Sequence, residues 1–236
     1  MGACCSKNTI NDKIVTIEKQ PWSVVQKTLG TGDLLFLSGF EWVPQVTGRK
    51  KFFDEEHERW TYVGFVYLKG DTPYLIDLSF KDSKLRNLNG DFKSGAVNMV
   101  KAEDRVFRTV GDSENTYYKS AAIRHLQNYK QSKKDKVAIK KSLGSLLGNV
   151  MNRDMRAIFQ AHVANGEYNA TVVDESEFFA AELVLRVLEI YELVIKGKYN
   201  PQVLSIDDIE GMQELQRGAF YSAQEPVDLS YGTGHS

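Results

Sequence analysis

Every thiol of this chain lies within its first five residues: Cys4 and Cys5 are adjacent, and residues 6–236 contain no cysteine. A body without thiols has no disulfide, no thiolate metal ligand and no cysteine nucleophile. It must stand on its apolar core. At 236 residues it can, since a chain of that size buries roughly 70% of its unfolded surface without staples. Hydrophobic residues make up 42% and charged residues 26%, the balance of an ordinary globular protein. The net charge of −1 supplies no global field, so nucleic acid is not an expected partner. No apolar run approaches the roughly 18 to 20 residues that cross a bilayer, and the first residues lack the apolar core of a secretory signal.

The two thiols stand in Met1-Gly2-Ala3-Cys4-Cys5-Ser6-Lys7. Loss of Met1 would expose Gly2, and Ser6 supplies the hydroxyl of the M-G-x-x-x-[ST] myristoylation pattern. One myristoyl chain binds membranes only marginally, with a partition constant on the order of 10⁴ M⁻¹, so residence needs a second signal. Cys4 and Cys5 are placed to take it as palmitoyl thioesters. The expectation is a eukaryotic lipoprotein on the cytoplasmic face of a membrane. The plasma membrane is the default and a flagellar membrane the specialised alternative. The inner leaflet is then an expected partner. Lys130, Lys133, Lys134, Lys136, Lys140 and Lys141 form the only strong basic run and are candidates to touch it, at ~1 kcal/mol each near an anionic surface. The plainer reading of such a run is a solvated helix face.

Residues 1–20 read as anchor and spacer, 21–225 as a single domain and 226–236 as a flexible tail. Pro21 opens a short helix over 21–29. Gly30, Gly32 and Asp33 turn the chain into the apolar strand 34–37. Strands 61–68 and 73–78 flank Lys69-Gly70-Asp71-Thr72, good hairpin chemistry. A strand covers Val97 to Val100, and Arg105 to Val110 alternates as a half-buried strand does. Asn115–Lys130 and Val137–His162 read as helices, the second interrupted near Gly144 or Gly148. The longest helix runs from about Glu175 to Lys196, with Ala180, Leu183, Val184, Val187, Tyr191 and Val194 in one stripe and Gly197 as its stop. Ile206 to Leu215 is a last short helix. Strands first and helices after, without βαβ alternation, give the α+β class: an antiparallel sheet packed against helices.

Three segments together resemble the circularly permuted papain-like fold of the NlpC/P60 family. They are Gly32-Asp33-Leu34-Leu35-Phe36-Leu37, Thr61-Tyr62-Val63-Gly64-Phe65-Val66 and Phe179-Ala180-Ala181-Glu182-Leu183-Val184. The resemblance implies a papain-like domain over roughly residues 30 to 210. It sets Ala180 at the nucleophile position, Tyr62 at the base position and Asp77 at a third polar position. A methyl group is no nucleophile, and a phenol with a pKa of about 10 is a poor base at neutral pH. The implied protein is a pseudo-enzyme whose catalytic positions are degenerate, with Asp77 bonded to the Tyr62 hydroxyl in a structural role. It would serve as a binding or scaffolding module for a protein or lipid ligand. The competing expectation is an active lipid or amide hydrolase, or an acyltransferase, that uses Tyr62, Asp77 or His57.

His57, His125, His162 and His235 show no mutual metal-ligand spacing and read as surface or loop residues. Asp54, Glu55 and Glu56 read as a solvated acidic turn. No metal and no cofactor are expected.

Overall fold

Leu34-Leu35-Phe36-Leu37 is apolar on both faces of a strand, which suits only the middle of a sheet covered on both sides. The computed structural model places it there. It describes residues 18–39, 60–78, 96–108, 118–147, 175–200, 204, 206–213 and 215–230. In spatial order the main sheet runs β1 (Gln20–Pro21), β9 (Glu225–Asp228), β6 (Tyr118–Arg124), β2 (Leu34–Gly39), β3 (Tyr62–Lys69), β4 (Thr72–Leu78) and β5 (Val97–Lys101). All neighbours are antiparallel except β1 and β9. β7 (Leu126–Gln127) and β8 (Phe220–Tyr221) form a separate two-stranded ladder. The helices are α1 (Trp22–Val25), α2 (Ala102–Val106), α3 (Lys133–Leu146), α4 (Glu175–Ile190) and α5 (Ile206–Gly211). The protein is of the α+β class.

Side chains alternate along a strand, so the pairing register sorts them between two faces. Leu34, Phe65 and Ile76 share one face through the pairs Leu34↔Phe65 and Phe65↔Ile76. There Phe65 meets Tyr191, just past the end of α4, with ring centroids 4.9 Å apart. α4 packs over β3 and β4, and α3 and α5 pack on α4. The opposite face carries Leu35, Leu37, Tyr62, Gly64, Leu75 and Asp77, by the same registers. α2 covers it, with Arg105 over the Tyr62 ring. Trp22 of α1 meets Phe107 edge-on beside α2.

Several expected elements change type or length. The helix expected over 115–130 is strands β6 and β7 within the described residues. Ser120, Ala121 and Ala122 are small and tolerate a helix, but pairing to β2 and β9 decides their state, and local pattern does not encode that pairing. Arg105 and Val106, expected to open a strand, instead close helix α2, whose first turn holds Glu103 and Asp104, the charges a helix N-terminus favours; residues 109–110 of that expected strand lie outside the described residues. α4 ends at Ile190 and not near Lys196, and Glu192 follows with a left-handed φ of 54°. α3 begins at Lys133, before Val137, because Ser132 and Asp135 close a capping box. Residues 226–228, assigned to a tail, complete β9.

Candidate functional site

Tyr62 and Asp77 do come together. Tyr62 lies near the start of β3, and Gly64, two residues on and on the same face, has no side chain. A Cβ on Gly64 would stand 2.7 Å from the Tyr62 hydroxyl, so the missing methyl lets the phenol lie along the strand toward Asp77. Arg105 closes the group: its guanidinium sits 4.4 Å from the Tyr62 ring centroid, with Nη1 3.6 Å from the Asp77 carboxylate. Tyr118 joins from β6, its ring centroid 6.2 Å from that of Tyr62. The shift in β2–β6 register at Ser38/Gly39 turns Tyr118 to this face.

This cluster is sealed. Tyr62, Asp77 and Arg105 are 3%, 1% and 4% exposed. Burial pushes the Tyr62 phenol well above its ordinary value; the Asp77 charge adds to the rise and Arg105 opposes it. Asp77 stands near enough to take part in that shift, yet the hydroxyl forms no hydrogen bond of good geometry among the described residues. Tyr62 therefore stays protonated and cannot serve as a base.

Ala180 does not join them. It lies on α4, which covers the Phe65 face, whereas Tyr62 and Asp77 point to the opposite face. Ala180 is 5% exposed and packs in the apolar core. The three positions drawn together by the family resemblance thus do not line one cleft.

A second polar cluster, absent from the sequence reading, centres on Asp33. Asp33 is 3% exposed and stands just before β2. Its carboxylate accepts from the backbone N–H of Gly30 at 2.7 Å, from that of Leu126 at 2.8 Å and from Nδ1 of His125 at 2.8 Å. His125 stands in the connection between β6 and β7, half-buried with its side chain 17% exposed, so of the surface or loop position expected it keeps the loop and is partly drawn inward. Its Nε2 faces the Glu225 carboxylate at 3.8 Å. The Asp33 hydrogen bond raises the His125 pKa against partial burial, and the charges of Asp33 and Glu225 add to the rise. The sequence hint was Gly32-Asp33, a buried acid at a strand entrance; its partner lies 92 positions away.

Lys133, Lys134, Lys136, Lys140 and Lys141 all lie exposed on α3, and Lys130 lies exposed just before it. Gly2, Cys4, Cys5, Asp54, Glu55, Glu56, His57, His162 and His235 fall outside the described residues. Among the described residues no three His, Asp or Glu side chains converge on a point where a metal ion would sit, and no helix is long and apolar enough to cross a membrane. A recess of about 430 Å³ opens beside α5, lined by Tyr199, Leu204, Asp208 and Met212 among others.

No protein-family model matches the chain, and no curated protein matches it in sequence. Among solved structures, a metalloprotein from Escherichia coli O157:H7 (yiiX, DUF1105) is similar in coarse shape at 12% identity and a TM-score of 0.35, over 83% of this chain and 97% of that one. The NlpC/P60 resemblance is corrected accordingly. No match speaks for that family, and Ala180 lies on α4, over the face of the sheet opposite the one that carries Tyr62 and Asp77. The comparisons lend no support to acylation of Gly2, Cys4 or Cys5 either.

Proposed function

We propose that this protein is a non-catalytic binding module, tethered to the cytoplasmic face of a membrane by acyl groups on Gly2, Cys4 and Cys5. The observation that carries the reading is how the chain distributes its chemistry. Both thiols stand at an acylable tip, while the polar cluster of Tyr62, Asp77 and Arg105 is shut away from any substrate. A protein segment or a lipid is the class of ligand that suits such a module. The recess beside α5 falls within the size range of small-ligand sites.

The test is made in a eukaryotic cell. Wild type is expected to incorporate a myristate probe and to sediment with membranes, and Gly2→Ala to do neither. Cys4→Ser combined with Cys5→Ser should keep the myristate and lose stable sedimentation, because a single chain anchors only marginally. An unlabelled, soluble wild type overturns the tether.

One observation favours a second reading, hydrolysis or acyl transfer without a thiol. His125 is oriented by the buried Asp33 carboxylate and turns its Nε2 toward the partly accessible Glu225. Turnover of an amide or ester substrate that disappears in His125→Gln would replace the non-catalytic reading with this one.

A further inference from the structure

We infer that the outer face of α3 is a docking surface for an anionic phospholipid leaflet, and that it fixes how the tethered body lies on the membrane. The inference rests on the proposed tether for its setting and on α3 for its substance.

Ile139 and Leu143 are the buried residues of α3. Lys133, Lys134, Val137, Lys140, Lys141 and Gly144 follow one another at i, i+1, i+4, i+7, i+8 and i+11, a single stripe on the side away from that pair. Every lysine in it is exposed. Val137, amid them, is 71% exposed, the most exposed large apolar side chain among the described residues. Asp135 is the helix's only acid, and it is occupied elsewhere. It bonds the Ser132 backbone N–H at 3.1 Å and takes Arg217 Nη1 at 3.2 Å. The stripe therefore presents positive charge without an acid of its own, although the whole chain carries a net charge of −1. Charges around one apolar residue match an anionic surface with an apolar interior. The lysine ammoniums meet lipid headgroups, and the valine reaches the acyl boundary.

A tether alone would not orient the body. Residues 2–20 have a contour length of at most about 65 Å, at roughly 3.3–3.6 Å per residue, so attachment at Gly2 does not by itself select a face. The basic face of α3 makes that choice.

The test uses the full unacylated chain with vesicles of phosphatidylcholine, with or without phosphatidylserine. Binding is expected only when phosphatidylserine is present, and to weaken as salt rises. Lys133→Gln, Lys134→Gln, Lys140→Gln and Lys141→Gln combined should weaken binding by several hundredfold, from about fivefold per lysine. Glutamine keeps the helix propensity of lysine, so a matching thermal melt separates lost docking from lost folding. Val137→Asp is a second, independent loss. Equal binding to both vesicle types, or binding untouched by the four substitutions, overturns the inference. So does retention on RNA or an acidic protein without any vesicle binding. The tether stands or falls separately, on Gly2→Ala in cells, because the vesicle assay contains no acyl group.

Discussion

Arg105 and Asp77 form a charged pair held out of water at 3.6 Å, with side chains 5% and 1% exposed. Such a pair adds little net stability, because desolvation offsets the attraction, but removing one partner leaves an uncompensated buried charge. Arg105→Met is therefore expected to lose about 3–5 kcal/mol in urea denaturation. Adding Asp77→Leu should restore most of that loss; an unimproved double variant would show that the two side chains are not coupled. His125 behaves differently because it titrates. Its pKa is raised in the folded protein, so its contribution to stability is complete below about 6.5, its ordinary value. The contribution is lost as pH climbs through the raised folded value. Wild type should lose stability on the alkaline side of that window more steeply than His125→Gln, and equal slopes in a denaturation series would dismiss the Asp33 bond as the cause. At this scale the sequence showed residue types and not partners. Tyr62 and Asp77 were set together only by the family resemblance, and the structure brings them near each other without a hydrogen bond of good geometry at the Tyr62 hydroxyl. Asp33 and His125 were not set together, since 92 positions separate them.

Elements were legible where a short stretch holds all the information it needs. The β3–β4 hairpin is one case. Its turn uses Gly70 at a φ of +63°, a conformation glycine adopts without steric cost. The run from Leu34 to Leu37 is another, since an all-apolar strand has few places to go. α4 was legible from its stripe, apart from its end. β6 was not. Its small residues are compatible with helix, and its position between β2 and β9 depends on segments distant in the chain. The failure of the family alignment has the same origin. Three segments in the right order say nothing of which face each residue takes, and a one-residue change of strand register exchanges the faces.

At the scale of the whole molecule, the C-terminal segment secures the sheet. β9 lies between β1 and β6. Just before it, Arg124 donates from Nε to the Ser222 carbonyl at 2.8 Å, and from Nη1 to the Glu210 carbonyl. The Tyr221 hydroxyl donates to the Gly32 carbonyl at 3.0 Å, tying this segment to the entrance of β2. Deleting residues 219–236 removes β8 and β9, uncovers edges of β1 and β6, and leaves the buried Arg124 guanidinium without its Ser222 acceptor. The truncated chain is expected to lose its near-ultraviolet circular dichroism and to melt without cooperativity. A sharp melt at the wild-type temperature would show that the sheet closes without it. The strand order also sets a timetable for synthesis. Among the described strands β1 is made first, and its partner β9 last. At 5–20 residues per second, roughly 10 to 40 seconds separate the two on the ribosome. Through that interval β1 has no partner strand, and its backbone stays open to any enzyme that works on nascent chains.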